Sequence, residues 1–181
     1  MIHRTKIKQN GTFLIEVLIA MLLFSVGMLP VGLMLMQSVQ MPKLAAHRAV
    51  ATLLASGHIE RMRANPGADH RSDLNYDGSF TPVALADCTY PNCTPDTLAS
   101  MDKAHTQKLA RDQLPAGGLM VTCDASPCNA LPVTSGNLWL LWQEPGSPAA
   151  LKAQNSDDCP AQVSERFAKS PPRCLYVRFS L

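Results

Sequence analysis

The sequence predicts an α+β fold. A long N-terminal helix, its first half crossing a membrane, leads into a small head of mixed helix and strand. Three observations predict it. Between Thr12 and Val39 the only charged residue is Glu16. Helical spacing of apolar residues then continues to Ala64, where Asn65-Pro66-Gly67 stops it. The chain closes on a two-residue alternation, with Leu175, Val177, Phe179 and Leu181 set between Tyr176, Arg178 and Ser180. A length of 181 residues suits one core with an appended segment. Charged residues make up 17%, below the roughly 25% of soluble domains. The apolar excess sits in one run, which argues against a disordered chain, a multi-pass membrane protein and a simple cytosolic enzyme. A formal charge of +2 and the lack of a Lys/Arg stripe argue against nucleic acid as a partner.

The first element begins after a short basic stretch, residues 1–11, with Arg4, Lys6 and Lys8 and no acid, ending at Gly11. From Val17 to Val39 there is no charge. At about 1.5 Å per residue such a run spans a hydrocarbon core of about 30 Å. Basic residues ahead of it hold the N-terminus in the cytoplasm, so the chain beyond Gln40 is expected outside the inner membrane. A secretory signal peptide would have a shorter apolar region and a small-residue cleavage site, and Met41-Pro42-Lys43 is a poor one. Glu16 stands out, because an ionisable group in a membrane helix costs about 3 kcal/mol on insertion scales and calls for a partner.

The string Gly11-Thr12-Phe13-Leu14-Ile15-Glu16-Val17-Leu18-Ile19-Ala20 resembles the type IV prepilin signature. The resemblance implies that a prepilin peptidase removes residues 1–11 by cutting between Gly11 and Thr12. It implies N-terminal methylation of Thr12, and pairing of the Glu16 carboxylate with the terminal ammonium of a neighbouring subunit. Each charge would make burial of the other tolerable. The family's usual order of Phe first and a small polar residue second is exchanged at Thr12 and Phe13, which bears on methylation rather than on cleavage. Loss of the leader leaves 13 basic residues against 14 acidic ones.

Residues 12–40 form the transmembrane half of the helix, and residues 41–66 its periplasmic half. Gly27, Pro30 and Gly32 weaken the first half, because Pro30 removes the hydrogen bond to the Val26 carbonyl. This stretch reads as a kink, or as one that unwinds in a fibre as pilins do. Pro42 adds a second bend. In the outer half Val50, Leu53 and Leu54 lie at helical spacing, with Ala55, Ile59 and Met62 on an adjoining stripe. The string Arg61-Met62-Arg63-Ala64-Asn65-Pro66 resembles the end of this helix in PilV-like minor pilins. Arg111-Asp112-Gln113-Leu114-Pro115 ahead of Gly117-Gly118, a tryptophan-bearing strand and a final strand opening at a cysteine agree more loosely.

The head, residues 67–181, contains a helix starting near Pro95 with Leu98, Met101, His105 and Leu109 on one face. Pro115 and the two glycines end it. Strands are expected over Leu119–Cys123, over Leu138–Trp142 and at the C-terminus. The pilin resemblance implies a pilin-like arrangement, with the long helix packed on a small antiparallel β-sheet.

The six cysteines, Cys88, Cys93, Cys123, Cys128, Cys159 and Cys174, all lie beyond the membrane run. An even count in an oxidising compartment reads as disulfides. Local pairing is expected: Cys88–Cys93, Cys123–Cys128 and Cys159–Cys174. A rival reading makes one zinc site of the two C-x4-C pairs. Asp73, Asn75 and Asp77 followed by Gly78 match the opening of a calcium loop, although Ala84 stands where its bidentate acid belongs. An Asp-Gly turn is the plainer reading. No other cofactor and no enzyme constellation is expected.

The resemblance implies a minor pilin that primes or supports type IV pilus assembly, within a tip or initiation complex. Its partners would be other minor pilins, the major pilin and a tip adhesin, with roles in adhesion and twitching motility. It would reside singly spanning the inner membrane before assembly and in the fibre or tip afterwards. A minor pseudopilin of type II secretion and a membrane-anchored periplasmic binding module are the alternatives.

Overall fold

The computed structural model of the chain describes residues 12–85, 87–89, 91–126, 128, 134–144 and 158–181. Residues 1–11, Gly11 among them, lie outside these, and with them the expected leader and half of the expected cleavage site. The chain divides into two units, residues 1–43 and 44–181.

The first unit holds the start of helix α1 (Thr12–Ala64), which carries Pro30 and Pro42 inside it. Phe13–Leu35 is apolar and long enough to cross a membrane, and every residue in it is exposed. The stretch from Gly27 to Gly32 is helical. A side chain added at Gly27 or Gly32 would meet nothing within 4 Å, so no neighbour among the described residues requires either glycine.

The second unit, Leu44–Leu181, holds the rest of α1 and the head. Helix α2 (Pro95–Gln113) is capped by Thr94, whose hydroxyl accepts from the Thr97 N–H at 3.2 Å. Pro95 at the first position lacks an N–H that would have been orphaned there anyway. The helix ends because Leu114 precedes Pro115 and is driven to an extended conformation, φ −117° and ψ 137°. Strands β1 (Gly118–Cys123), β2 (Ser135–Trp142) and β3 (Arg173–Ser180) form one antiparallel sheet in the order β1-β2-β3. A six-residue helix α3 (Ala161–Arg166), which periodicity did not predict, stands before β3.

Alternation along the strands sends residues to two cores. On one face Leu119, Val121, Leu138, Leu140, Trp142 and Phe179 bury against Ala51, Ala55, Ile59 and Met62 of α1 and Ala110 and Leu114 of α2. On the other, Met120, Leu141 and Cys174 join Tyr76, Ala116 and Val163. On α1 the expected stripe of Ala55, Ile59 and Met62 is buried while the row of Val50, Leu53 and Leu54 is not, and on α2 the expected face is displaced. On α1 the buried stripe is Ala51, Ala55, His58, Ile59 and Met62; Val50 and Leu54 lie at its margin and Leu53 is 72% exposed. On α2 the buried residues are Ala99, Thr106 and Ala110, while His105 is exposed. The turn after α2 folds tightly back on the end of that helix: a Cβ on Gly117 would lie 2.0 Å from the Ala110 carbonyl oxygen.

Candidate functional site

The residues singled out by sequence fall in three places. Thr12 opens α1, and Glu16 follows one turn later. Glu16 is exposed among exposed apolar neighbours and, among the described residues, has no charged partner. Within a bilayer that carboxylate would stand alone unless a second chain or the chain's own amine met it.

Asp73, Asn75 and Asp77 do not converge on one point. The Asp73 side chain is 96% exposed. The Asn75 amide oxygen turns inward and accepts from the Leu119 N–H at 2.6 Å. The Asp77 carboxylate accepts from the Ser79 N–H at 2.8 Å and from its hydroxyl at 3.0 Å. Arg111, only 5% exposed in its side chain, lies across this loop. Its Nη1 donates to Asp77 Oδ1 at 3.2 Å, to the Ser79 hydroxyl at 2.8 Å and to the Ser79 carbonyl. Nη2 reaches the Asn75 carbonyl at 3.4 Å, and Nε the Gly117 carbonyl at 2.9 Å. The Ser79 N–H above all, with the Ser79 hydroxyl and Arg111 adding to it, holds the Asp77 carboxyl below the usual range. A guanidinium from α2 therefore sits among the loop oxygens that the sequence offered to calcium. Among the described residues no group of three or more His, Cys, Asp or Glu is placed to hold a metal ion.

The cysteines join as Cys88–Cys93, Cys123–Cys128 and Cys159–Cys174, with Cα separations of 5.4, 5.4 and 5.3 Å. Four thiols for one zinc are thus not left in this structure. Cys174 is the second residue of β3, so the last bridge ties the start of that strand to the segment before α3.

Sequence reasoning missed a buried polar cluster where α1 meets α2. His58 is 1% and His70 0% exposed. The Thr106 hydroxyl donates to the Asp102 carbonyl at 3.0 Å and accepts from Arg61 at 3.2 Å. His58 Nδ1, 2.9 Å from that hydroxyl, is therefore the donor to it, and Nε2 carries the lone pair. His70 Nε2 donates to the Asn65 carbonyl at 2.7 Å. Burial first, then His70, Arg61 and Lys103, push the His58 pKa down to about 3, so His58 is neutral. The only signal in sequence was a histidine at the spacing of the Ala51 and Ala55 stripe.

No protein-family model, no curated protein and no solved structure matches this chain.

Proposed function

We propose that the chain is a PilV-like minor pilin that primes or supports assembly of a type IV pilus. It acts in a tip or initiation complex with other minor pilins, beside the major pilin and a tip adhesin. One observation carries the reading: the fully exposed apolar helix Phe13–Leu35 begins one residue past the Gly11-Thr12 bond and holds Glu16 as its lone charge.

The mechanism follows from that arrangement. The prepilin peptidase cuts between Gly11 and Thr12 on the cytoplasmic side and frees an α-ammonium. Glu16 supplies the opposite charge to the ammonium of an adjoining subunit, and the pair lowers the cost of keeping both out of water. Leaving the bilayer is offset by packing of the apolar helix surface on neighbouring helices. Gly27, Pro30 and Gly32 form the stretch that unwinds in the fibre, and among the described residues nothing packs on Gly27 or Gly32 to oppose that. The head, outside the inner membrane, displays its disulfide-closed loops.

Glu16→Ala tests the reading. The variant is expected to insert and to be cleaved as the parent is, yet to be depleted from surface fibres, with twitching lost and type II secretion intact. Fibre incorporation at the parent level would remove the pairing argument.

A further inference from the structure

The two edges of the sheet are treated differently by the rest of the chain. β1 offers its outward groups at Leu119, Val121 and Cys123, because the Asp124 N–H bonds the Ser135 carbonyl and fixes the alternation on the β2 side. That edge is occupied. The Asn75 amide oxygen takes the Leu119 N–H, and Ser72 exchanges both backbone hydrogen bonds with Val121, at 3.1 and 3.0 Å. On β3 the Leu181 N–H bonds the Thr134 carbonyl at 2.8 Å. Phe179, Val177 and Leu175 therefore turn their backbone groups to β2, while Cys174, Tyr176, Arg178 and Ser180 turn theirs outward. Among the described residues nothing bonds to those outward groups. Tyr176, Arg178 and Ser180 are exposed. Leu175, Val177 and Leu181 lie only partly covered at the margin of the α1-facing core.

We propose that the outer edge of β3, from Tyr176 to Ser180, accepts an extended strand from a neighbouring, non-identical subunit as the fourth strand of the sheet. The inference rests on the pilin reading in supposing that such a neighbour exists. An open row of N–H and C=O groups specifies an extended backbone. The half-covered Leu175 and Val177 specify apolar residues at its alternate positions on the α1 side. A second copy of this chain fits poorly. Antiparallel pairing of two β3 strands reverses α1 residues 44–64 in the second copy, although both must lead toward one membrane. Parallel pairing turns the second copy's apolar row to the opposite face. Its β1 edge is already taken by Asn75 and Ser72.

Amide hydrogen exchange on the full chain tests this, alone in detergent micelles and in the high-mass membrane or fibre fraction. In the isolated chain the amides of Tyr176, Arg178 and Ser180 are expected to exchange fast, and those of Leu175, Val177 and Phe179 slowly. In the assembled fraction the first set slows by tenfold or more. Arg178→Pro removes one outward N–H, which an edge strand tolerates, and is expected to fold and be lost from the assembly. Arg178→Ala removes the same side chain, keeps the N–H and assembles. Protection of the outward amides in the isolated chain would show that the chain covers its own edge and overturn the proposal. Fast exchange of those amides in the assembly would overturn it while leaving the pilin reading standing. If no high-mass fraction contains the chain, both fall.

Discussion

Arg111 shows how one side chain can settle the chemistry of a loop. Asp73, Asn75 and Asp77 are spaced as calcium ligands, but spacing reports neither the amide oxygen's turn toward β1 nor the arrival of a guanidinium from α2. Both depend on the tertiary packing of segments more than thirty residues apart, so neither was legible in the string itself. Arg111→Met would leave the Asn75, Ser79 and Gly117 carbonyls short of a donor, and is expected to cost about 2–4 kcal/mol. A lowered melting temperature, unrestored by millimolar calcium, is the expected result; the parent's is expected to move with neither calcium nor chelator. His58 supplies the pH dependence. Its pKa is lowered on folding, from an ordinary 6.5 to about 3, so below 6.5 the unfolded chain takes up a proton that the folded one refuses. Stability is full above that pH and falls as pH drops from 6.5 toward 3, by about 1.4 kcal/mol per unit for this group. Asp77, whose pKa is also lowered, adds to the loss in the carboxylate range. Chemical denaturation at pH 7 and pH 5 should show the loss, and His58→Gln should flatten it.

Among the elements, legibility followed period and side-chain size. The last strand alternates apolar and polar residues, and β3 sits where that alternation put it. The end of α1 was equally clear, because Asn65-Pro66-Gly67 can only stop a helix. On α1 the stripe of Ala55, Ile59 and Met62 was legible, while Ala51 and the buried face of α2 were missed, since a search for large apolar residues passes over Ala51, Ala99, Thr106 and Ala110. Gly117→Ala tests the fit of the turn after α2 on that helix's own end: its Cβ would lie 2.0 Å from one backbone atom of Ala110 and 2.4 Å from another. A loss of about 2–4 kcal/mol is expected. Gly27→Ala, with open space around it, should leave the unfolding of the head unchanged. Replacing Cys159 and Cys174 together by Ser reopens a 15-residue loop and should lower stability by about 3 kcal/mol. An unchanged denaturation midpoint in that double variant would contradict the role given to the bridge.

Over the whole molecule, one unit is an exposed apolar helix start and the other a head with two cores and three disulfides. Every residue from 13 to 35 is exposed, in a run long and apolar enough to cross a membrane. The stretch that resembles a prepilin signature stands out because its parts are local in sequence: three basic residues, Gly11, Thr12, Glu16 and a long uncharged run. The most direct test of the pilin account is the intact mass of the chain recovered from sheared surface fibres and from the inner membrane, with and without reduction. The account predicts a fibre species that begins at Thr12 and gains six hydrogens on reduction. Processed protein found only in the membrane would favour a pseudopilin. A chain that still begins at Met1 in both fractions would contradict the account and leave an anchored protein that never assembles.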